Sequence, residues 1–363
     1  MPIADIVGHL AVRSELRRAF ESNRLPQVLL ITGEPGIGKQ RLGLWLAELV
    51  LCADPAQRPC GKCRPCRLVR SLSHADLHWF VPLPRPKAGE IDKQVEEVKE
   101  ALGDVMAARR EDPVYGRPDG MSMHGVASAR LIQRTASLTT VEGGRRVILI
   151  GDADRLVPQE SSQEAANALL KFLEEPPASA LIILTTTEAT RVLPTIRSRA
   201  VPIRLGRLAP ADVSAALEVL APQLTAGERL ARVEAGQGSI GRALSAANAA
   251  SRSADVDQLL AAAKQGGAGR FERVLRQGPW QARGEFTDLL DALAQTLADA
   301  TRAATGGTGG GSLTDVLRTV RDPARLVAAQ QWVDQAREKA QGNVNPQLLL
   351  AVLTGQLAEA LWA

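Results

Sequence analysis

Aromatic residues are scarce in this chain. Five Phe, five Trp and one Tyr make up 3% of its 363 residues. Cores must therefore be built from Leu, Val, Ile and Ala, a palette that favours helices with a minority of aliphatic strands. An excess of one charge is also missing: 44 Lys and Arg face 40 Asp and Glu, for a net charge of +4. Such a balance permits nucleic acid as a partner without demanding it. No run approaches the ~18 apolar residues that suggest a membrane span. The opening MPIADIVGHLAVRSEL lacks a basic-then-apolar leader, so a cytoplasmic protein with no membrane attachment is expected. A disulfide framework is disfavoured too. The four cysteines all fall between Cys52 and Cys66, and clustering that tight in a reducing compartment argues for metal binding.

What is present is 45% hydrophobic residues over a length that suits two or three domains. Short aliphatic runs stand at Val28 to Thr32, Leu77 to Val81, Val147 to Ile150, Leu181 to Leu184 and Ala200 to Ile203, each isolated by polar residues, Pro or Gly. Helical segments separate them, which predicts an α/β fold with a parallel sheet buried on both faces. Between Pro82 and Gly125 the chain is rich in charge and proline and reads as a surface excursion. One amphipathic helix is expected there, around Val95, Val98, Leu102 and Val105. In SQEAANALLKFLEEPP, residues Ala166, Leu169, Leu170 and Leu173 recur at helical spacing before Pro176 and Pro177 stop the helix. Beyond about Leu205 the pattern is helical throughout, broken at AGQGSIG and at the glycine-rich stretch from Thr305 to Gly311, which is expected to join helices within the last domain.

Gly33-Glu34-Pro35-Gly36-Ile37-Gly38-Lys39 fits G-x-x-x-x-G-K between a strand and a helix. Gly33, Gly36 and Gly38 let backbone N–H groups turn around phosphate oxygens, Lys39 adds a point charge, and the helix N-terminus adds its partial positive charge. The next position normally carries a magnesium-holding hydroxyl, and here it is Gln40. At the end of the run at 147–150, where an NTPase needs an Asp for magnesium and a neighbouring acid for water, the chain has Gly151-Asp152-Ala153-Asp154. No adjacent acidic pair results in either register.

Cys52, Cys60, Cys63 and Cys66 form C-x7-C-x2-C-x2-C, with Pro59, Gly61 and Pro65 turning the chain back. Four thiolates suit tetrahedral, structural zinc. A redox C-x-x-C is the competing chemistry, although such a site uses one pair at a helix start. His74 is a ligand only if one cysteine is not. Arg58, Lys62, Arg64, Arg67 and Arg70 make this module basic, as a solvated loop or as a surface for DNA or another partner.

Taken together, ITGEPGIGK, the cysteine cluster after the loop helix, AANALLKFLEEPP and LPTIRSRAVPIRL resemble the bacterial clamp-loader AAA+ proteins, over Gly8 to about Leu244. The resemblance implies a RecA-like P-loop AAA+ domain at 1–205 with an inserted zinc module at 52–66. A small helical lid domain at 206–250 and an all-α collar domain at 251–363 follow from it too. That family contains motor subunits that hydrolyse ATP and a non-hydrolysing partner that donates an arginine across the interface. Three departures point to the second: Gln40, Gly151, and Gly241 in GSIGRAL, where motor subunits carry a sensor arginine. The adjacent Arg242 would point about 100° away on a helix. In RSRA the resemblance makes Arg199 an arginine finger acting in trans. Thr185, Thr186 and Thr187 occupy the place of the family's first sensor and are expected to be structural, and Glu174 and Glu175 to be solvated or structural.

The implied partners are motor ATPase and clamp-opening subunits of a hetero-oligomer and, indirectly, the sliding clamp and primed DNA. ATP binding without hydrolysis stays open, because Lys39 and the loop amides remain. An ATP-hydrolysing motor subunit of the same complex is the alternative role, and a zinc protein that binds nucleic acid alone is a further one.

Overall fold

The computed structural model describes residues 5–87, 89–112, 122–142, 144–156, 169–170, 172–246, 249–276, 283–306, 316–320, 322–340 and 344–362. The aliphatic runs form a five-stranded parallel sheet in the order β2-β5-β6-β1-β7. Its strands are β1 (Val28–Thr32), β2 (Leu77–Phe80), β5 (Arg146–Ile150), β6 (Ala180–Thr186) and β7 (Val201–Arg204). Leu30 lies opposite Leu184 on one side and Pro202 on the other. The central β5 and β6 are buried along their whole length, whereas β7 is largely exposed. That edge position tolerates Pro202, which has no N–H to give a further strand.

Two helices frame the first turn of this sheet: α1 (Leu10–Glu21), and α2 (Lys39–Leu51) directly after β1. Leu42, Leu46 and Leu49 of α2 recur at helical spacing and are fully buried. The short α3 (Arg64–Arg70) follows the cysteine segment. Two short antiparallel strands, β3 (Leu83–Pro84) and β4 (Ser122–Met123), bracket α4 (Ile91–Glu111). The amphipathic helix expected in the excursion is α4, but the excursion is not confined to the surface: Val95, Val98 and Leu102 of α4 belong to the main core, as does Ile132 of α5 (Val126–Ser137) just beyond it. Charge on the outer face of α4 masks that role in the sequence, since a one-sided helix averages to a polar composition.

Asp76, just before β2, is a buried hub. It accepts the N–H groups of Val141 and Glu142 and pairs with Arg146 of β5 at 3.2 Å. Burying charge in this way is tolerable only because each group is matched.

After β6, the short α6 (Pro194–Arg197) leads into β7. Three helices follow, α7 (Pro210–Leu220), α8 (Ala226–Gly236) and α9 (Ile240–Ser245), around a small core of Leu208, Val213, Leu217, Val233 and Ala243. Thr225 and Glu228 close a capping box at the start of α8.

The chain divides into two compact units, with Leu244 the last residue of the first. The second is all-helical: α10 (Ala249–Gln265), α11 (Gly267–Leu275), α12 (Arg283–Ala304), α13 (Pro323–Ala340) and α14 (Pro346–Trp362) enclose Leu260, Leu290, Leu297, Val333, Leu350 and Leu357. Among the described residues no helix is long and apolar enough to cross a membrane. Ala166 of the expected helix, and residues 307–311 of the glycine-rich stretch, lie outside the described residues.

Candidate functional site

The loop from Gly33 to Gly38 runs from the end of β1 to the start of α2, with Gly38 capping the helix at φ 100°. Its carbonyls are spoken for one after another. Lys39 Nζ donates to Gly33 O at 3.0 Å and to Glu34 O at 2.8 Å. Ser239 Oγ donates to Pro35 O at 2.9 Å. The Gly241 N–H donates to Gly36 O at 3.0 Å, and His9 Nε2 lies 2.9 Å from Ile37 O. A flexible phosphate cradle is thereby held on one side by its own lysine and on the others by the N-terminal segment and by the turn leading into α9.

The Glu34 side chain adds a further tie. One oxygen meets Arg207 at 2.9 Å and the other meets Arg242 at 3.1 Å. These groups are partly exposed, so each pair stabilises by no more than about 1 kcal/mol. The sequence reading sets Arg242 about 100° from the Gly241 direction, which leaves its contact with the loop unforeseen. The helix carrying it lies against the loop so closely that a neighbour of the sensor position still reaches Glu34. The closeness rests on two glycines. A Cβ on Gly241 would stand 2.6 Å from the Gly36 Cα, and one on Gly36 would stand 2.8 Å from the Gly241 Cα.

Gln40 and Gly151 prove to be one arrangement. A Cβ on Gly151 would lie 2.7 Å from Gln40 Nε2, so the amide occupies the space in which an acid at 151 would begin. The two remaining acids sit in the turn that follows and are tied to the end of β6. Asp152 has φ 49°, and its N–H donates to Thr185 Oγ1 at 3.3 Å. Asp154 accepts from Thr186 Oγ1 at 2.6 Å. Thr185 and Thr186 are fully buried and act as ties between β5 and β6. Behind Gly151 sits His124, buried, with Nε2 2.7 Å from the Gly151 carbonyl. Burial keeps this imidazole neutral by pushing its pKa below the ordinary value. No motif marks His9, Ser239, Arg207 or His124, because each reaches the site from a distant part of the sequence.

Arg199 lies on another part of the unit, between α6 and β7. Pro194 at the first turn suits α6, having no N–H that needs a partner. The Arg199 guanidinium donates through Nη1 to Thr195 O at 2.6 Å and to Ser198 Oγ at 3.3 Å, and through Nη2 to Glu174. Its side chain is 30% exposed and that of Glu174 45%. Glu174, expected to be solvated or structural, is thus the partner of the candidate finger.

The cysteine site gathers all four predicted ligands. The Sγ atoms of Cys52, Cys60, Cys63 and Cys66 lie within 4.8 Å of one another, and those of Cys52 and Cys63 are 3.8 Å apart. Tetrahedral zinc with Zn–S bonds of ~2.3 Å sets its sulfurs ~3.8 Å apart, so the donor set fits that ion. The Cys63 N–H points at Cys60 Sγ and the Cys60 N–H at Cys52 Sγ. Amide donors from Cys63 and Lys62 pull the Cys60 thiol down to about 6, while burial pushes Cys52 and Cys66 up. His74 is not in that group: its Nδ1 accepts the Asp76 N–H at 3.0 Å and its Nε2 lies 3.6 Å from Glu142. Much of the module's basic charge is spent internally. Arg70 pairs with Glu48 of α2 at 3.0 Å, Arg64 with Glu142 at 2.6 Å, and Arg58 lies over the Phe20 ring.

The delta' subunit of DNA polymerase III from Escherichia coli K12 is 32% identical over 233 residues, covering 63% of this chain and 57% of that protein. The delta' subunit from Bacillus subtilis 168 is 29% identical over 184 residues, covering 51% and 43%. The gamma/tau subunit from Mycobacterium tuberculosis H37Rv is 30% identical over 197 residues, covering 54% and 27%. The chain thus spans about half the length of the curated delta' relatives. A solved gamma subunit-related protein of DNA polymerase III from Thermotoga maritima aligns over 95% of this chain and 98% of its own, with a TM-score of 0.42 and 18% identity. Residues 8–209 match the family model described as DNA polymerase III, delta subunit, and this chain of 363 residues belongs to that family of clamp-loader AAA+ proteins.

Proposed function

We propose that the chain is a delta-prime-type subunit of the bacterial clamp loader. In this reading it is a stator that hydrolyses no ATP and supplies Arg199 to ATP bound by a neighbouring motor subunit. The sliding clamp is thereby opened and placed on primed DNA. One observation carries the reading: every carbonyl from Gly33 to Ile37 is hydrogen-bonded, with Gln40 filling the space over Gly151, while Arg199 stands on an open turn. The loop's N–H groups are the ones that would meet a phosphate, so binding stays open. With Gln40 in the space where an acid at 151 would begin, the magnesium apparatus that hydrolysis demands is incomplete, whereas a guanidinium at an accessible edge can act on someone else's nucleotide.

The relatives named delta' and gamma/tau support the family of partners: motor and clamp-opening subunits in a cytoplasmic hetero-oligomer. The three-domain division at 1–205, 206–250 and 251–363 is part of the same proposal. Zinc, held by Cys52, Cys60, Cys63 and Cys66, would be structural, pinning α3 and the preceding turns against α2. Metal content near one per chain is expected, and Cys63→Ser should abolish it together with thermal stability. Full stability without metal would remove the structural role.

The decisive test of the finger is Arg199→Ala in the reconstituted complex. Assembly should be unchanged, and ATP turnover should fall by ~10³-fold or more, as for established arginine fingers. Unchanged turnover would leave the arginine a surface residue only.

A further inference from the structure

We propose that Glu174 is the positioning residue for Arg199, fixing the direction of its guanidinium before any neighbour arrives. The inference rests on the reading of Arg199 as a finger and deepens it. An arginine side chain is long and carries substantial rotamer freedom, all of which must be surrendered when its fork meets a phosphate. The structure shows where that freedom goes. Two acceptors, Thr195 O and Ser198 Oγ, belong to the same turn as Arg199 and bind Nη1. They move with the turn and tether only one corner of a planar group. The acceptor on Nη2 is Glu174, 25 residues away in sequence, at the end of the helical segment that stops before Pro176. It is the anionic contact and the one from a separate element, so it sets the plane of the guanidinium relative to the sheet.

The arrangement also leaves a donor for a further anion. A guanidinium has five N–H groups. Among the described residues two contacts are made by Nη1 and one by Nη2. Nε is buried without an acceptor, so a further anion would be met by the remaining Nη2 N–H of this partly exposed side chain. Because the Arg199–Glu174 pair is partly exposed, its own stabilisation is small and it can coexist with, or yield to, a multiply charged phosphate. The acidic pair in LEEPP thereby has a division of labour: Glu174 aims the finger, and Glu175 makes no contact with it.

The test uses the full reconstituted complex and ATP as the probe, with wild-type, Glu174→Ala, Glu174→Gln, Arg199→Ala and the double variant Glu174→Ala/Arg199→Ala. Positioning predicts that Glu174→Ala lowers kcat by about fivefold, the cost of returning rotamer freedom to the arginine, with KM for ATP and assembly unchanged. Glu174→Gln, which keeps an acceptor oxygen, should recover most of the rate. In the Arg199→Ala background the second substitution should add nothing. Wild-type kcat in Glu174→Ala, alongside a large loss in Arg199→Ala, would overturn the positioning role and leave the finger standing. An equal loss in both backgrounds would overturn it as well, since Glu174 would then act without Arg199. No loss in Arg199→Ala would overturn the finger itself, and this inference with it.

Discussion

The phosphate loop and the arginine turn belong to one compact unit and are built on opposite principles. The loop is clamped by Lys39, Ser239, Gly241 and His9, and Gly33 and Gly36 stand against another stretch of backbone. The turn is open, and among the described residues its one charged tie to another element is the partly exposed pair with Glu174. The fastened element is thus the nucleotide loop, and the accessible one is the turn that carries Arg199.

Substitutions on the two sides should therefore be read out by different assays. The largest contrast pairs Gly241→Ala with Arg199→Ala. The added methyl of Gly241→Ala would push backbone against backbone, and overpacking of this kind costs about 1–3 kcal/mol, a fall in Tm of several degrees that calorimetry should record. Arg199→Ala should leave stability within about 0.5 kcal/mol of wild type, with little change in Tm, while removing turnover from the complex. A Tm shift in the second without one in the first would reverse the comparison.

Acid offers a second contrast. Burial pushes His78 down to about 4 and His124 below its ordinary value, so both imidazoles are neutral in the folded chain at neutral pH. A depressed folded pKa means that the unfolded chain binds more protons between about pH 6.5 and 4. The stability these groups contribute is present above that window and lost as pH falls through it. Thermal melts from pH 7 to 4.5 should show a declining Tm, with a shallower slope in His78→Gln. A flat profile would mean that neither histidine is held neutral by the fold.

The smallest effect is expected at Glu34. Its pairs with Arg207 and Arg242 are partly exposed, so Glu34→Gln should cost less than about 1 kcal/mol by denaturant titration. Loss of more than that would identify the ion pairs, rather than the glycine contact and the backbone bonds, as the main fastening of the loop.

Much of this was legible in the sequence, for reasons that differ by region. The parallel sheet followed from short aliphatic runs, because strands buried on both faces cannot carry alternating polar residues. The cysteine site followed from spacing, since ligands fourteen residues apart at most have few ways not to meet. Gln40, Gly151 and Gly241 were each visible as departures. That Gln40 and Gly151 share one space, and that Gly241 is the contact point for Gly36, was not visible, because packing between positions far apart leaves no local pattern. The same limit hid Glu174 as the partner of Arg199, and it left the contact of Arg242 with Glu34 unforeseen. The helix α4 was legible from the spacing of Val95, Val98 and Leu102, but charge on its outer face concealed that its inner face belongs to the main core.

The most direct measurement is ATP turnover by the isolated, zinc-loaded chain in the presence of magnesium, set beside the reconstituted complex. The account predicts no turnover above background from the lone chain, and turnover in the complex that depends on Arg199. Sustained magnesium-dependent hydrolysis by the lone chain would contradict it.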